Sequence, residues 1–158
     1  MKRLWAPWRM EYILQARLPG CFLCEAVHSN NDEENLVLER GNSAFLIMNR
    51  YPYNNGHLMV APYQHADTLE ALPHETLAEI MRMCSGACAM LRKALKPHGF
   101  NVGLNIGGAA GAGLKEHLHM HILPRWDGDT NFMPTLAQTK VIPQALGELW
   151  RQLKEIPA

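Results

Sequence analysis

The chain has 158 residues, 47% of them hydrophobic, and its 15 basic side chains balance 15 acidic ones. That excludes a disordered composition and is enough chain for one domain with a buried core. Zero net charge gives no broad basic field for duplex DNA or an anionic membrane, so a phosphate-bearing ligand must be held by local geometry.

The N-terminal MKRLWAPWRMEYILQ starts basic but carries Pro7, Arg9 and Glu11 where a signal peptide has its apolar centre. A basic amphipathic targeting peptide is the lesser alternative. No window approaches the ~20 apolar residues of a membrane span, and a cytoplasmic location is expected. Residues 8–16 read as a short helix after Pro7. Cys21 and Cys24 then form C-F-L-C. In a reducing compartment a disulfide is not expected. The pair is moderate evidence for zinc, set against two free buried thiols; a thioredoxin-like reading lacks its βαβ context. Residues 25–35, with the acidic run Asp32, Glu33 and Glu34, read as a solvated loop.

Strand-like segments follow. NLVLER (35–40) and AFLIMN (44–49) flank the turn signal Gly41-Asn42-Ser43 and predict a hairpin. Residues 49–57, rich in Pro, Asn and Gly, form a loop before the strand HLMVAP (57–62). From about Pro73, Leu77, Ile80, Cys84, Cys88, Leu91 and Leu95 recur at helical spacing until Pro97. Cys84, Cys88 and the methionines of this helix read as core packing. In FNVGLNI (100–106), Phe100, Val102, Leu104 and Ile106 form a core face and Asn101 and Asn105 a polar one. The small-residue loop GGAAGAG (107–113) leads into EHLHMHILP, a strand expected to end before Pro124. Residues 127–140 are mostly irregular. Pro143 could open a last helix with Leu146, Leu149, Trp150 and Leu153 on one face. This order predicts an α+β fold with an antiparallel five-stranded sheet, one long helix and a C-terminal helical extension.

His117, His119 and His121 occupy alternate positions. On a strand they share one face, about 6.5–7 Å apart, with Leu118, Met120 and Ile122 behind them. On a helix, steps of two rotate ~200° and His119 would oppose its neighbours. Three readings stand: a polar solvent face, three ligands of one catalytic metal, or nucleophilic catalysis. Neutral imidazole can take a phosphoryl group covalently if a neighbour fixes its tautomer. Backbone N–H groups of the glycine loop, Ala112 and Gly113 among them, could cradle phosphate oxygens.

HLHMHIL resembles the histidine-triad pattern, and AFLIMNRYPYNNGHLMVAPYQH is similar to that family's strand, Asn-Pro loop and Gly-His arrangement. The resemblance covers roughly residues 4–150. LWAPWRMEYI, CFLC and HILPRWDGDTNFM resemble a bacterial branch that includes diadenosine tetraphosphate phosphorylases. The resemblance implies transfer of a nucleoside monophosphate to His119 as nucleophile, then to water or phosphate. It implies that His121 orients the α-phosphate and His57 supports the site. Asn49 would lie at the ribose, Asn105 at phosphate, and Trp126 at a base or in packing. It also implies a structural zinc held by Cys21, Cys24, His65 and His117, and a homodimer with joined sheets. His28, His74 and His98 are expected at the surface, with His28 as a substitute ligand. The sequence departs from the family at Gly113 and Leu114, where many members carry Gln and then Ser or Thr. The leaving-group donor is therefore unassigned, with Lys115 and Glu116 nearby. Nucleotide binding without turnover and a metal-dependent hydrolase are the competing readings; no organic cofactor, membrane or nucleic-acid partner is expected. The expected organisation is one domain over 1–158, with an N-terminal segment 1–34, a core 35–126 and an extension 127–158.

Overall fold

The computed structural model describes residues 20–129 and 142–156. The helix expected over 8–16 lies outside them, as does most of the irregular stretch after residue 127. Five strands are present: β1 (Val37–Arg40), β2 (Ala44–Met48), β3 (Leu58–Pro62), β4 (Gly99–Leu104) and β5 (Met120–Arg125). They form one antiparallel sheet in the order β1-β2-β3-β5-β4. Among the described residues the α-helices are α1 (Phe22–His28), α2 (Asp32–Asn35), the long α3 (His74–Leu95) and α4 (Leu146–Lys154), with one 3-10 turn at Gly108–Ala110. The α+β architecture read from the sequence is the one observed.

Strand alternation sorts the side chains onto two faces. Leu38, Leu46, Leu58, Val60, Leu118 and Ile122 pack against Ile80, Met83, Cys84, Ala87 and Leu91 of α3. Val37, Phe45, Ile47, Met59 and Ala61 lie on the other face, under Leu23 and Ala26 of α1. Each fully buried Leu or Ile contributes roughly 1.5–3 kcal/mol. Helix α3 follows Pro73 and ends at Lys96, which turns left-handed (φ 48) with its N–H on the Arg92 carbonyl; Pro97 cannot continue the helix. Cys84 and Cys88 lie in this packing, as expected.

The hairpin at Gly41–Ser43 is clamped from α3. The buried Glu79 carboxylate accepts the Asn42 N–H (2.9 Å), the Ser43 N–H (2.6 Å) and the Ser43 hydroxyl. These donors, the Ser43 hydroxyl foremost, hold its pKa below the usual carboxylate value although burial opposes them.

Three expectations need correction. The loop expected over 25–35 is instead most of α1 and all of α2. Arg40 joins them, donating to the carbonyls of Ala26 (2.8 Å), Val27 (3.2 Å) and Ser29 (2.9 Å) and pairing with Asp32 (2.8 Å). Asn31 caps α2 by accepting the Glu34 N–H. Such short helices depend on tertiary contacts, which periodicity does not display. Second, the strand expected to carry all three triad histidines begins only at Met120, so of the three only His121 is on β5, and the strand does not end before Pro124 but runs to Arg125. Pro124 is tolerated because β3 pairs with β5 only as far as Leu58↔Ile122, so no N–H is required on that side. Third, the expected core face of β4 is incomplete: Val102 and Ile106 are exposed (45% and 42%) because β4 is a sheet edge that α3 reaches only at Phe100 and Leu104.

The other edge is covered. The Trp150 indole N–H donates to the Val37 carbonyl (3.0 Å) and Lys154 to the Leu38 carbonyl (2.9 Å), so α4 shields β1. The last helix begins at Leu146, three residues after Pro143, with Leu149 and Leu153 buried as expected.

Candidate active site and metal-binding cluster

His121 lies on β5 and His119 just before its first residue; both are buried, while Leu118 and Ile122 belong to the core under α3. The loop 49–57 brings His57 beside them. Ring centroids lie 4.8 Å apart for His119 and His121 and 5.0 Å apart for His57 and His121. Across the sheet, Gly103 pairs with His121, and a Cβ built there meets nothing within 4 Å. The floor beside His121 is therefore open. The β4–β5 register ends at Leu104↔Met120, with Asn105 the next residue after β4 and His119 the one before β5.

Hydrogen bonds to fixed backbone groups define each tautomer, because an N–H can serve only an acceptor and a carbonyl cannot donate. His119 Nδ1 lies 2.8 Å from the His117 carbonyl, so it carries the proton and Nε2 keeps its lone pair. His57 Nδ1 accepts the Tyr53 N–H (3.1 Å) and lies 3.2 Å from the Asn49 amide nitrogen. Its proton is then on Nε2, directed at His121 Nδ1 at 2.9 Å. His121 in turn holds its own proton on Nε2. The result is one unprotonated nitrogen and, on the adjacent imidazole, one N–H donor.

Burial holds all three rings neutral. It lowers the His119 pKa, although the bond to His117 opposes the shift. Burial, then the nearby His121 and His119, takes His57 to about 3; burial and His119 take His121 to about 4. Below the ordinary value of 6.5, the unfolded chain binds protons at these two positions that the folded chain refuses. Stability should therefore be full above about pH 6.5 and fall as pH drops toward 4 and then 3, by up to about 1.4 kcal/mol per pH unit for each group. Denaturant melts between pH 7 and 4.5 test this; a flat profile would show that the rings are not held neutral.

His117 belongs to a different group. Its Nε2–H donates to the Pro62 carbonyl (2.9 Å), and its Nδ1 faces Cys21 Sγ (3.2 Å) and Cys24 Sγ (3.5 Å). His65 Nδ1 is 3.2 Å from Cys24 Sγ. The four ligand atoms lie within 4.8 Å of one another, and this is the one such group among the described residues. A tetrahedral zinc with Zn–S of about 2.3 Å and Zn–N of about 2.0 Å sets neighbouring S and N atoms about 3.5 Å apart, which the cluster matches. Four protein ligands would close the coordination sphere, as in structural sites. His57, His119 and His121 form no such group, so the triad does not converge on one metal position.

The remaining predicted residues are dispersed. The Asn49 amide is engaged within its own loop, accepting the Tyr51 N–H (2.8 Å) while facing His57. Ala112 is buried; Gly113 is exposed, with open space at its Cβ position. Lys115 folds back, its ammonium 3.2 Å from where a Gly108 side chain would begin. The Trp126 indole N–H donates to the Leu95 carbonyl at the end of α3 (3.3 Å), five residues past His121. His28, His74 and His98 are exposed. Two residues escaped sequence reasoning. Tyr53 packs its ring on His57 and His121 (4.8 and 5.9 Å). Asn54 is buried and ties the loop to the Pro124 carbonyl and Asp129. An aromatic in a polar loop just before Gly-His was the available signal. A cavity of about 280 Å³ lies on the α3 side, against Leu77, Met81, Leu104 and Met120. His119 is among its lining residues, and the rest of the wall is apolar.

The HIT domain profile matches residues 30–128. An AP-4-A phosphorylase of Mycobacterium tuberculosis is 44% identical over 97% of this chain and 83% of its own length. An adenosine 5'-monophosphoramidase of Saccharomyces cerevisiae is 26% identical over 85% of this chain and 80% of its own. Among solved structures, a zinc-bound histidine triad family protein from Mycobacterium smegmatis superposes with a TM-score of 0.69 at 24% identity, covering 85% of this chain and 91% of that one.

Proposed function

This chain belongs to the HIT-domain family of nucleotide hydrolases and transferases, and from that premise we propose that it cleaves dinucleoside polyphosphates such as diadenosine tetraphosphate through a nucleotidyl-His119 intermediate. The observation that carries this is the tautomer pair: His119 offers a free Nε2 while His121 offers an N–H beside it. The Nε2 lone pair attacks the α-phosphorus. The bond to the bridging oxygen breaks and its electrons leave with the nucleoside polyphosphate. His121 donates to a non-bridging α-oxygen, where charge grows in the transition state. His57, held by Asn49 and Tyr53, keeps His121 in the donating tautomer. Asn105 and the backbone at Ala112 and Gly113 bind phosphate oxygens.

The second acceptor is inorganic phosphate. Support comes from the 44% identical phosphorylase and from the open positions at Gly107, Gly111 and Gly113, where an added Cβ meets nothing within 4 Å. Phosphate attacks the α-phosphorus, the P–N bond breaks, and its electrons return to Nε2. Product analysis on diadenosine tetraphosphate tests this: ADP plus ATP should appear only when phosphate is present. AMP plus ATP without phosphate would make water the acceptor. Binding without turnover is the second reading, because the loop before the nucleophile has no side-chain donor.

The cluster Cys21, Cys24, His65 and His117 holds a structural zinc that ties α1 to the start of β5. The protein acts as a homodimer. The uncovered β4 edge, exposed Val102 and Met81 (45% and 56%) and the apolar cavity beside them form one surface that a second copy would bury. Sedimentation should give twice the 17.8 kDa chain mass; a monomer at micromolar concentration would refute it.

A further inference from the structure

In-line displacement at phosphorus needs a donor on the side opposite the nucleophile, where the leaving oxygen takes up charge. The loop before His119 does not provide one from its side chains: residues 107–114 are Gly, Ala and Leu. The only basic side chain that follows at once, Lys115, lies against Gly108. Tyr53 occupies a different position. Its ring is tilted over His57 and His121, at 4.8 and 5.9 Å, and makes no ring contact with His119. It therefore lies beyond His121 as seen from the nucleophile. The ring is 55% exposed and no hydrogen bond to its hydroxyl occurs among the described residues. Its backbone is fixed nonetheless: Tyr53 N–H bonds His57 Nδ1, the His57 N–H bonds the Asn54 carbonyl, and Asn54 is buried. An aromatic held this rigidly with a free hydroxyl loses little entropy when it binds.

We propose that the Tyr53 hydroxyl is the hydrogen-bond donor to the leaving oxygen in the nucleotidyl transfer assigned to His119, and this rests on that assignment. As the bond from the α-phosphorus to the leaving oxygen breaks, its electron pair moves onto that oxygen. The phenol stabilises the new charge and keeps its proton. The Nε2–phosphorus bond forms in the same step, and the His119 proton stays on Nδ1, donated to the His117 carbonyl.

Tyr53→Phe removes only the hydroxyl and keeps the ring on both imidazoles. The test compares it with the unaltered protein on diadenosine tetraphosphate and on aryl esters of adenosine 5'-monophosphate with phenols of graded acidity. Loss of a leaving-group donor should lower kcat on the order of a hundredfold for the phenyl ester and hardly at all for the dinitrophenyl ester. KM should stay unchanged. A uniform loss across the series would mean that the residue acts through His57 and His121, and no loss would mean that the hydroxyl touches nothing; either overturns the assignment. A raised KM without a change in the leaving-group slope would make Tyr53 a binding surface and also overturn it. If the unaltered protein turned over none of these substrates, the function proposed above would fail first, and the two failures are thereby distinct.

Discussion

His119→Ala should abolish the proposed nucleotidyl-protein adduct and lower kcat by on the order of 10⁴ or more, while the chain still folds. The proposed covalent route uses one lone pair, that of Nε2, and no neighbouring ring nitrogen is placed to replace it. His121 Nδ1 is occupied by His57, and His57 Nδ1 by Tyr53 and Asn49. The structural consequence is small. The imidazole donates one hydrogen bond, to the His117 carbonyl, and its loss should lower the midpoint by no more than about 5 °C. Labelling with a radioactive dinucleotide, acid quenching and gel separation detect the adduct. An adduct that survives in His119→Ala with unchanged yield would move the nucleophile elsewhere.

Removal of the metal acts on stability before it acts on chemistry. The purified protein should carry one zinc per chain, and Cys24→Ser should lose it and melt about 10 °C lower, as expected for a loss of about 3 kcal/mol or more. The cluster joins α1, the segment after β3 and the entry to β5, elements far apart in sequence. Without a metal, burial and the neighbouring Cys21 push the Cys24 thiol up to about 11. Binding must therefore displace protons, and affinity should weaken as pH falls. Well below the melting point, the metal-free protein should still form the adduct, more slowly, because the His117 carbonyl that orients His119 has lost its anchor. Immediate and complete loss of adduct on chelation in folded protein would instead make the metal catalytic. Absence of zinc in protein purified without chelator would remove the ion from the account.

The strands and the long helix were legible because their signals are local. Phe45, Leu46 and Ile47 form a continuous apolar run, Leu77 to Leu95 keep helical spacing, and Pro73 and Pro97 bracket the helix. The division of histidines was not legible. Alternation in HLHMH places three rings on one face, but nothing local separates His117 from His119 and His121. What separates them is the Pro62 carbonyl and the two cysteines on one side, and the His57 ring on the other. The helices at 22–28 and 32–35 were hidden because Arg40, outside both, donates to the Ala26 and Val27 carbonyls of the first and pairs with the Asp32 carboxylate of the second.

The sequence by itself determined the α+β order, the segment that holds the triad and the residue types available for phosphoryl chemistry. Periodicity and proline positions act over a few residues, and those features depend on nothing further away. Only the tertiary structure decided which nitrogen of each imidazole holds a proton. That choice is made by single backbone groups, the His117 and Pro62 carbonyls and the Tyr53 N–H, brought within about 3 Å by strand pairing and loop closure. A hydrogen bond fails over fractions of an ångström, a distance that spacing along a chain cannot encode.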